Sequence, residues 1–260
     1  MIDTLRHRLQ LLVYAWRTVG PVTMLRNTLR WSLDSEARNS NSSFDARFGT
    51  DTTAELTPDE AQIPAERRGV ATMYLPSLDQ DLDAMLAALD WPASLARDAT
   101  FVDIGSGKGR VVMLAAMRSF REVVGVELSP VLHEIALRNL DIVRTTGALS
   151  SQARLMLGDA TELAVPQGPL IAYLYHPFRE SIAALVIDRI VASIAASPRP
   201  AAILYGHPTL QQPIAPSVFS RGGMFAELGH GERRTRLYRI GWSVWTNQAW
   251  LSGGRCMVVG

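Results

Sequence analysis

The stretch FVDIGSGKGR, residues 101–110, decides how the rest of the sequence is interpreted. It begins with an apolar run that is typical of a buried strand, and after Asp103 it has glycines at alternate positions, Gly105, Gly107 and Gly109. Glycine-rich turns that follow a strand bind several classes of ligand, because glycine lets the backbone approach a ligand closely. The segments on either side must therefore decide between these classes.

Around this stretch, short apolar segments alternate with amphipathic ones. The pattern predicts strands at 100–104, 122–127, 153–158, 169–175 and 201–206, and helices at 78–89, 108–119, 130–144 and 179–196. Strands that are apolar along their whole length are expected where helices cover both faces of a sheet. The alternation therefore predicts an α/β fold with an open, doubly wound, mostly parallel sheet.

Two further strand-like segments near the carboxyl terminus depart from this alternation. They lie near 224–229 and 236–245, and the charged stretch HGERR, residues 230–234, is predicted to form the turn between them. We expect the two segments to form an antiparallel pair that completes a seven-stranded sheet.

The amino-terminal part differs in composition from the rest. Residues 1–33 have the spacing of two amphipathic helices separated by Gly20 and Pro21, and residues 34–77 are rich in polar side chains. We expect a helical extension at 1–33, a connecting or lid segment at 34–77 and a ligand-binding domain at 78–260. The apolar faces of the two helices need a partner. They either pack on the domain or, because their polar faces carry arginines, lie on an anionic membrane surface.

The composition excludes several classes of function. The 260 residues carry a net charge of +1, so no nucleic-acid partner is expected. The single cysteine, Cys256, excludes an internal disulfide and a cysteine metal cluster, and it fits a cytoplasmic protein. The five histidines are scattered, and no metal site is predicted. No apolar run reaches the roughly 20 residues that a membrane-spanning helix needs.

The glycine spacing argues against a dinucleotide ligand. The dinucleotide fingerprint G-x-G-x-x-G needs its third glycine where Arg110 stands, and the phosphate-binding P-loop pattern is absent as well. The Asp103 carboxylate would repel a diphosphate but attract an ammonium group. The stretch therefore favours a ligand with a zwitterionic end, such as the methionine part of S-adenosylmethionine.

Two more acids stand at the ends of predicted strands. Glu127, in VVGVELSP, has the position of an acceptor for both hydroxyls of a ribose. Asp159, in LMLGDAT, has the position of an acceptor for the amino group of adenine, and Ala160 would add a backbone N–H. Taken singly, each acid has a structural alternative, as a helix cap, a surface charge or part of a turn. Together with Asp103, at the ends of three successive strands, they favour a ligand that contains adenosine.

These motifs resemble a known family. FVDIGSGKGR, GVELSP and GDAT resemble motifs one to three of the class I S-adenosylmethionine-dependent methyltransferases. FDARFGTDT at 44–52, RGVATMYLPS at 68–77, VLHEIALRNL at 131–140 and LIAYLYHPF at 170–178 are similar to segments of a bacterial family of mostly uncharacterised methyltransferases. The resemblance extends over roughly residues 44–210. It implies a Rossmann-like methyltransferase fold with S-adenosylmethionine as cofactor.

The resemblance also implies which residues bind the cofactor. The glycine loop approaches the methionine moiety, the acid after the second strand holds the ribose, and the acid after the third strand meets the adenine. Tyr74, in MYLPS, resembles the Tyr-x-Pro element that closes over the cofactor. It is also a candidate catalytic residue, and its alternative is a packed aromatic side chain. The predicted cofactor site consists of Tyr74, Asp103, Gly105, Ser106, Gly107, Gly109, Glu127, Leu128, Asp159 and Ala160.

The acceptor site is predicted after the fourth strand. Where the family often has Asn-Pro-Phe, this chain has Tyr175, His176, Pro177 and Phe178, and His207 ends the fifth strand. We expect both imidazoles to face the mouth of the site and contact the substrate. His176 is a candidate catalytic residue, as a base or as a group that positions the acceptor, and its alternative is a histidine that caps the strand end. Because histidine replaces the asparagine amide, methylation of an amino group is not directly implied.

The predicted function is the transfer of a methyl group from S-adenosylmethionine to a small-molecule or protein acceptor that the sequence does not identify. One alternative is a protein lysine N-methyltransferase, since related folds with a Tyr-x-Pro lead-in include such enzymes. A nicotinamide-dependent oxidoreductase is disfavoured by the glycine spacing and by Asp103. An alternative of another class is a non-catalytic protein that binds the cofactor or only a partner protein.

Overall fold

The computed structural model describes residues 43–208, 213–234 and 239–247, together with residues 9, 10, 12, 13, 16, 17 and 20. The described residues before Gly20 are helical, as the spacing of the apolar side chains predicts. Leu9 and Trp16 are each 61% exposed. The predicted second helix of the extension and the start of the predicted connecting segment, at residues 21–42, lie outside the described residues.

One sheet of seven strands forms the centre of the described part of the chain. Its strands are β1 (Thr100–Ile104), β2 (Glu122–Glu127), β3 (Gln152–Leu157), β4 (Leu170–Tyr175), β5 (Ala201–Pro208), β6 (Phe225–Arg234) and β7 (Arg239–Asn247). Their order along the sheet is β3-β2-β1-β4-β5-β7-β6. Strands β1 to β5 pair in parallel, whereas β7 pairs antiparallel with both β5 and β6. The predicted doubly wound sheet and its antiparallel carboxyl-terminal pair are confirmed.

Helices cover both faces of this sheet. They are α1 (residues 43–48), α2 (Ala65–Arg68), α3 (Asp79–Leu89), α4 (Ala93–Asp98), α5 (Arg110–Ala116), α6 (Pro130–Thr145), α7 (Glu180–Ala196) and α8 (Pro216–Phe219). Ser129 caps the start of α6, because its Oγ accepts a hydrogen bond from the Leu132 N–H at 3.0 Å. Pro130 suits the first turn, because it has no N–H and an N–H there would have no partner within the helix. Within the described residues, no helix is both long enough and apolar enough to cross a membrane.

The side chains of each strand alternate between two apolar layers. On one face Phe101 and Tyr173 pack in a layer with α3 and α5, and on the other Ile203 packs in a layer with α7. Because the alternation continues to the strand ends, Asp103 and Glu127 lie on the α5 face. Strands β1 and β2 are neighbours, and Asp103 pairs with Gly125, two residues before Glu127, so both acids lie near the carboxyl edge of the sheet.

The stretch HGERR is not a turn, which corrects the prediction. Residues 230–234 belong to β6, and Gly231 and Glu232 pair with Trp242 and Gly241 of β7. The sheet tolerates these charges because β6 is its last strand, where charged side chains discourage pairing with another chain. Polar composition alone therefore did not distinguish an edge strand from a turn.

Replacement of a buried residue of α7 tests the assigned faces of that helix. Ile190 is 1% exposed, whereas Leu185 on the same helix is 53% exposed. Ile190→Ala is expected to lower the free energy of unfolding by about 2–5 kcal/mol, because it leaves a cavity in the core. Leu185→Ala, the matched control, is expected to cost less than about 0.5 kcal/mol. Urea titrations of both variants measure the difference, and equal losses would contradict the assigned faces.

Candidate functional site

A cavity opens at the carboxyl ends of β1, β2 and β4, beside the glycine loop that joins β1 to α5. In an open α/β sheet, this edge is where ligands bind. Part of its wall comes from residues 61–77, which precede the sheet in the chain. The predicted site residues that line it are Tyr74, Asp103, Gly105, Ser106, Gly107, Glu127, Leu128, Asp159, Ala160, Tyr175, Pro177 and Phe178.

Glu127 ends β2 and holds the glycine loop. Its Oε2 accepts a hydrogen bond from the backbone N–H of Gly107, and its Oε1 accepts one from Ser129, each at 2.8 Å. Burial raises the pKa of Glu127, and these backbone N–H groups oppose the shift. A carboxylate oxygen accepts more than one hydrogen bond, so both oxygens keep the capacity to accept hydroxyl donors from the cavity.

Asp103 stands on β1, next to Glu127, and is 3% exposed. Burial raises the pKa of Asp103 well above its ordinary value, and the nearby Glu127 raises it further. Among the described residues, none donates a hydrogen bond to its carboxylate, which lines the cavity. A buried carboxylate in this position favours a ligand with a positive group, because that charge would stabilise its ionised form.

The glycine loop leaves no room for a side chain at two of its positions. A Cβ at Gly105 would lie 2.3 Å from the Cβ of Pro177, and a Cβ at Gly107 would lie 2.3 Å from the ring of Tyr74. Both glycines have positive φ angles, of 78° and 54°. Glycine adopts this conformation without strain. The loop therefore lies between Pro177 and Tyr74, and its backbone borders the cavity.

Gly109 supports the packing of two helices, and its contact with the cofactor stays a prediction. It is absent from the described residues that line the cavity, and a Cβ there would lie 3.1 Å from that of Ala136 on α6. It precedes α5 with a φ of 81° and allows α5 to pack closely on α6. Ser106 does line the cavity, but its Oγ is buried beside Gly125 of β2.

Asp159 is held by a partner that the sequence did not indicate. Its Oδ2 accepts hydrogen bonds from Nε and Nη2 of Arg67, at 3.0 and 2.7 Å. Its Oδ1 accepts hydrogen bonds from the N–H and the hydroxyl of Thr161, at 2.8 and 2.7 Å. Burial opposes ionisation, but the hydrogen bonds from Thr161 and Arg67 outweigh it and hold the pKa of Asp159 below its ordinary value. A contact of Asp159 with adenine stays a prediction.

Tyr74 forms part of the wall of the cavity. Its hydroxyl donates a hydrogen bond to the carbonyl of Thr52 at 2.8 Å. Burial raises the pKa of Tyr74 above its ordinary value. The neutral phenol and its hydrogen bond to a backbone carbonyl support a packing role of Tyr74 over the glycine loop. Its catalytic role stays a prediction.

His176 is not among the described residues that line the cavity, so the structure does not support its assignment as a catalytic and substrate-binding residue, which stays a prediction. Its imidazole is buried, with Nδ1 at 2.6 Å from the hydroxyl oxygen of Tyr205. That hydroxyl oxygen also accepts a hydrogen bond from the N–H of Ile214 at 3.0 Å. Burial, together with the nearby His207 and Arg179, lowers the pKa of His176 to about 4.

His207 is also directed away from the predicted acceptor site. Its ring stacks on that of Tyr205 with 5.6 Å between centroids, and a Cβ at Gly241 would lie 2.4 Å from its Nε2. It is not among the described residues that line the cavity. Tyr175, the last residue of β4, lines the cavity. His176 follows the strand with a φ of 44°, and its ring lies near those of Tyr205, which packs on the other face of the sheet, and His207.

Two basic residues of the glycine motif are buried beside the cavity, and the sequence reasoning assigned them no role. Lys108 is 1% exposed, and its Nζ lies 2.9 Å from Oδ1 of Asp51. Arg110 is 2% exposed, lines the cavity and forms an ion pair with Asp79 at 3.1 Å. Its guanidinium also lies 5.1 Å from the ring centroid of Phe44. Lysine and arginine are rarely buried without partners. Because both residues stand in a motif that follows a buried strand, the sequence could have indicated that each of them has a partner.

Comparisons with known proteins identify the fold. No protein-family model matches the chain, and no curated protein sequence matches it. The solved structure of magnesium protoporphyrin IX methyltransferase from Synechocystis PCC 6803 with bound SAM is similar, at 15% identity and a TM-score of 0.51, over 86% of this chain and 97% of that one. An RNA methyltransferase from Salinibacter ruber in complex with S-adenosyl-L-homocysteine is 20% identical with a TM-score of 0.43, over 66% and 94% of the two chains. The first of these likenesses shows that this chain shares the fold of the Synechocystis methyltransferase.

Substitution of the loop glycines tests their close contacts. Gly147 is the matched control, because it has a φ of 71° and a Cβ there would meet nothing within 4 Å. Gly147→Ala is expected to cost only the backbone strain, about 1–2 kcal/mol. Gly105→Ala and Gly107→Ala are expected to lower the free energy of unfolding by a further roughly 1–3 kcal/mol, because Pro177 and Tyr74 must move. Urea titrations measure the three losses, and equal values would contradict the close approach.

The buried imidazole of His176 predicts a specific loss of stability in acid. Its pKa is about 4 in the folded protein against an ordinary value of 6.5. As the pH falls through 6.5, the unfolded chain binds a proton that the folded protein does not, so stability is lost between pH 6.5 and 4. His176→Asn removes this group, and asparagine tolerates the φ of 44° at this position.

The wild-type protein is therefore expected to lose roughly 2–3 kcal/mol more stability than His176→Asn between neutral pH and pH 4. Urea titrations of both proteins at the two pH values measure this difference. The same pH dependence in both proteins would mean that His176 is not held as a neutral, buried imidazole.

Proposed function

We propose that this protein is an S-adenosylmethionine-dependent methyltransferase that acts on a small-molecule or protein acceptor. The observation that carries the proposal is the pair of buried acids, Asp103 and Glu127, beside a glycine loop whose backbone borders the same cavity. S-adenosylmethionine combines a charged amino-acid end with an adenosine. The carboxylates suit the ammonium group and the ribose hydroxyls of such a molecule. The glycines let the backbone of the loop approach the molecule closely.

The amino-acid end of the cofactor would lie between Asp103 and Arg110. Asp103 would accept hydrogen bonds from the ammonium group, whose charge offsets the cost of the buried carboxylate. Arg110 lines the same cavity and is held in place by Asp79 and the ring of Phe44. Its guanidinium is the cation that we assign to the carboxylate of the cofactor.

The adenosine end would lie further along the cavity. Glu127 would accept the ribose hydroxyls while it continues to hold the loop through the Gly107 N–H. Ile63, Leu128 and Leu132 line this part of the cavity and belong to one apolar cluster, which suits the faces of an adenine ring. The adenosine fit therefore rests on one carboxylate and an apolar wall.

When it is bound, S-adenosylmethionine supplies a methyl group activated by its sulfonium sulfur. The contribution of the chain is to align the acceptor and exclude water. Tyr175, Pro177 and Phe178 line the cavity after β4, and we assign them to the wall that contacts the acceptor. No residue is assigned as a general base, because the ring of His176 packs on Tyr205 and the Tyr74 hydroxyl donates a hydrogen bond to the Thr52 carbonyl.

The magnesium protoporphyrin IX methyltransferase with a similar fold was solved with bound SAM, which supports the choice of cofactor. A nicotinamide cofactor is disfavoured, because its diphosphate would approach the Asp103 carboxylate. A protein lysine acceptor is one of the acceptors that this cofactor site would serve. A cofactor-binding protein without activity would share the site but would show no methyl transfer from labelled S-adenosylmethionine to cell extract.

Asp103→Asn tests the proposed role of Asp103 in binding the amino-acid end of the cofactor. The variant is expected to bind S-adenosylhomocysteine about 10- to 100-fold more weakly, because hydrogen bonds to a charged group are lost. It is also expected to unfold at a higher temperature, since it removes a buried carboxylate without a described hydrogen-bond donor. Weaker binding together with greater stability distinguishes a functional acid from a structural one.

Isothermal calorimetry and thermal denaturation measure the two effects. Asp98→Asn is the matched control, because this aspartate is exposed at the end of α4, shortly before β1. The control is expected to change neither quantity appreciably. Unchanged affinity of Asp103→Asn, or binding of NADH in place of S-adenosylhomocysteine by the wild-type protein, would contradict the proposal.

A further inference from the structure

Residues 56–74 form a loop, here called the strap, that passes over the adenosine end of the cavity. Its ends meet, because Leu56 and Tyr74 form an antiparallel bridge with the Tyr74 N–H at 2.8 Å from the Leu56 carbonyl. Ala61, Ile63, Arg67 and residues 70–74 of the strap all line the cavity. The strap therefore forms much of the wall at the adenosine end of the cavity.

Two parts of the strap are firmly attached to the rest of the protein. Near its end, the N–H of Thr72 donates to the carbonyl of Pro177 at 3.2 Å, and the N–H of Arg179 donates to the carbonyl of Val70 at 2.8 Å. Near its start, the buried hydroxyl of Ser129 donates a hydrogen bond to the carbonyl of Ala61. Each of these contacts uses a main-chain carbonyl as the acceptor.

The part between these attachments, residues 64–69, is held differently. It contains the four-residue helix α2, which has no buried residue. Gly69, which follows the helix, is exposed. A helix this short is not stable by itself. A segment with few buried contacts opens more readily than the core.

Arg67 provides the link between this part of the strap and the sheet. Among the described hydrogen bonds, those from Arg67 to Asp159 are the ones that join residues 64–69 to a residue outside the strap. Both Nε and Nη2 of Arg67 donate to the same oxygen, and the side chains of Arg67 and Asp159 are 32% and 20% exposed. The backbone and hydroxyl of Thr161 fix the other oxygen of Asp159. The ion pair is thus well oriented but accessible to water.

We propose that Arg67 and Asp159 form an ionic latch that holds residues 64–69 of the strap over the adenosine end of the cavity, and that opening of this latch limits entry and exit of the cofactor. The inference rests on the proposed function for the identity of the ligand. It assigns Arg67 as a positioning residue and gives Asp159 a role through Arg67 in place of a direct contact with adenine.

A latch that is closed with and without ligand has a kinetic signature. Its removal accelerates association as well as dissociation, because both require the strap to open, and the equilibrium constant changes less than either rate. A residue that only contacts the ligand accelerates dissociation and weakens affinity by the same factor. The two roles are therefore separated by the association rate.

The test measures the binding of S-adenosylhomocysteine to the full chain by surface plasmon resonance. Arg67→Met, which keeps the length of the side chain, and Asp159→Asn are each expected to accelerate association and dissociation about three- to tenfold. The double variant is expected to be no faster than the faster single variant, because both substitutions break one interaction. Moderate salt should accelerate both association and dissociation of the ligand in the wild-type protein but not in the variants.

Arg154→Met is the matched control. Arg154 forms an ion pair with Glu122 across β2 and β3, with side chains that are 49% and 32% exposed, and neither residue lines the cavity in the described part of the chain. Loss of this ion pair should leave the association and dissociation rates of the ligand unchanged. Hydrogen exchange of the free protein adds a readout without ligand, since the amides of residues 64–69 should exchange faster in Arg67→Met and not in Arg154→Met.

Unchanged rates and unchanged exchange in Arg67→Met would overturn the latch. Faster dissociation in Asp159→Asn alone, with slower or equal association, would also overturn it and assign Asp159 to direct ligand contact. Failure of the wild-type protein to bind S-adenosylhomocysteine would refute the proposed function instead, and the exchange measurement would still decide whether Arg67 holds the strap.

Discussion

The burial of two carboxylates at the ends of neighbouring parallel strands is the constraint on which the site depends. Removing such charges from water is costly unless other groups compensate. Glu127 is compensated by backbone N–H groups, one of them from the glycine loop itself. Asp103 has no such donor among the described residues, and burial, together with the nearby Glu127, raises its pKa. The site therefore has one acid that organises the loop and one that is suited to a cationic ligand group.

The residues at the end of β4 have different roles on the two sides of the sheet, beside the glycine loop. Tyr173 and Tyr175 line the cavity on one face, while His176 is anchored to Tyr205 on the other. The carbonyl of His176 accepts a hydrogen bond from the Thr72 hydroxyl at 2.6 Å. The next residue, Pro177, lies against Gly105. His176 thus supports the wall of the cavity from behind, through its ring and its backbone.

Much of the fold and of the loop was predictable from the sequence, because both depend on local patterns. Strand β1 and the glycines at alternate positions are contiguous, and the acids at the strand ends follow from the strand boundaries. The predicted orientation of His176 toward the mouth of the site differs from the one observed, because the chain leaves β4 at this residue with a φ of 44°, which no sequence pattern indicated. The partnership of Arg67 with Asp159 was not predicted either, since the two residues are 92 positions apart in the chain and no periodicity relates them.

The most direct test is a competition for the wild-type site. The purified protein is incubated with equal amounts of S-adenosylhomocysteine and NAD, separated from free ligand, denatured and examined for released small molecules by mass spectrometry. Two buried acids beside a glycine loop predict the recovery of S-adenosylhomocysteine in an amount close to that of the protein, with little NAD. Recovery of NAD, or of neither compound, would contradict the assignment of this cavity to S-adenosylmethionine.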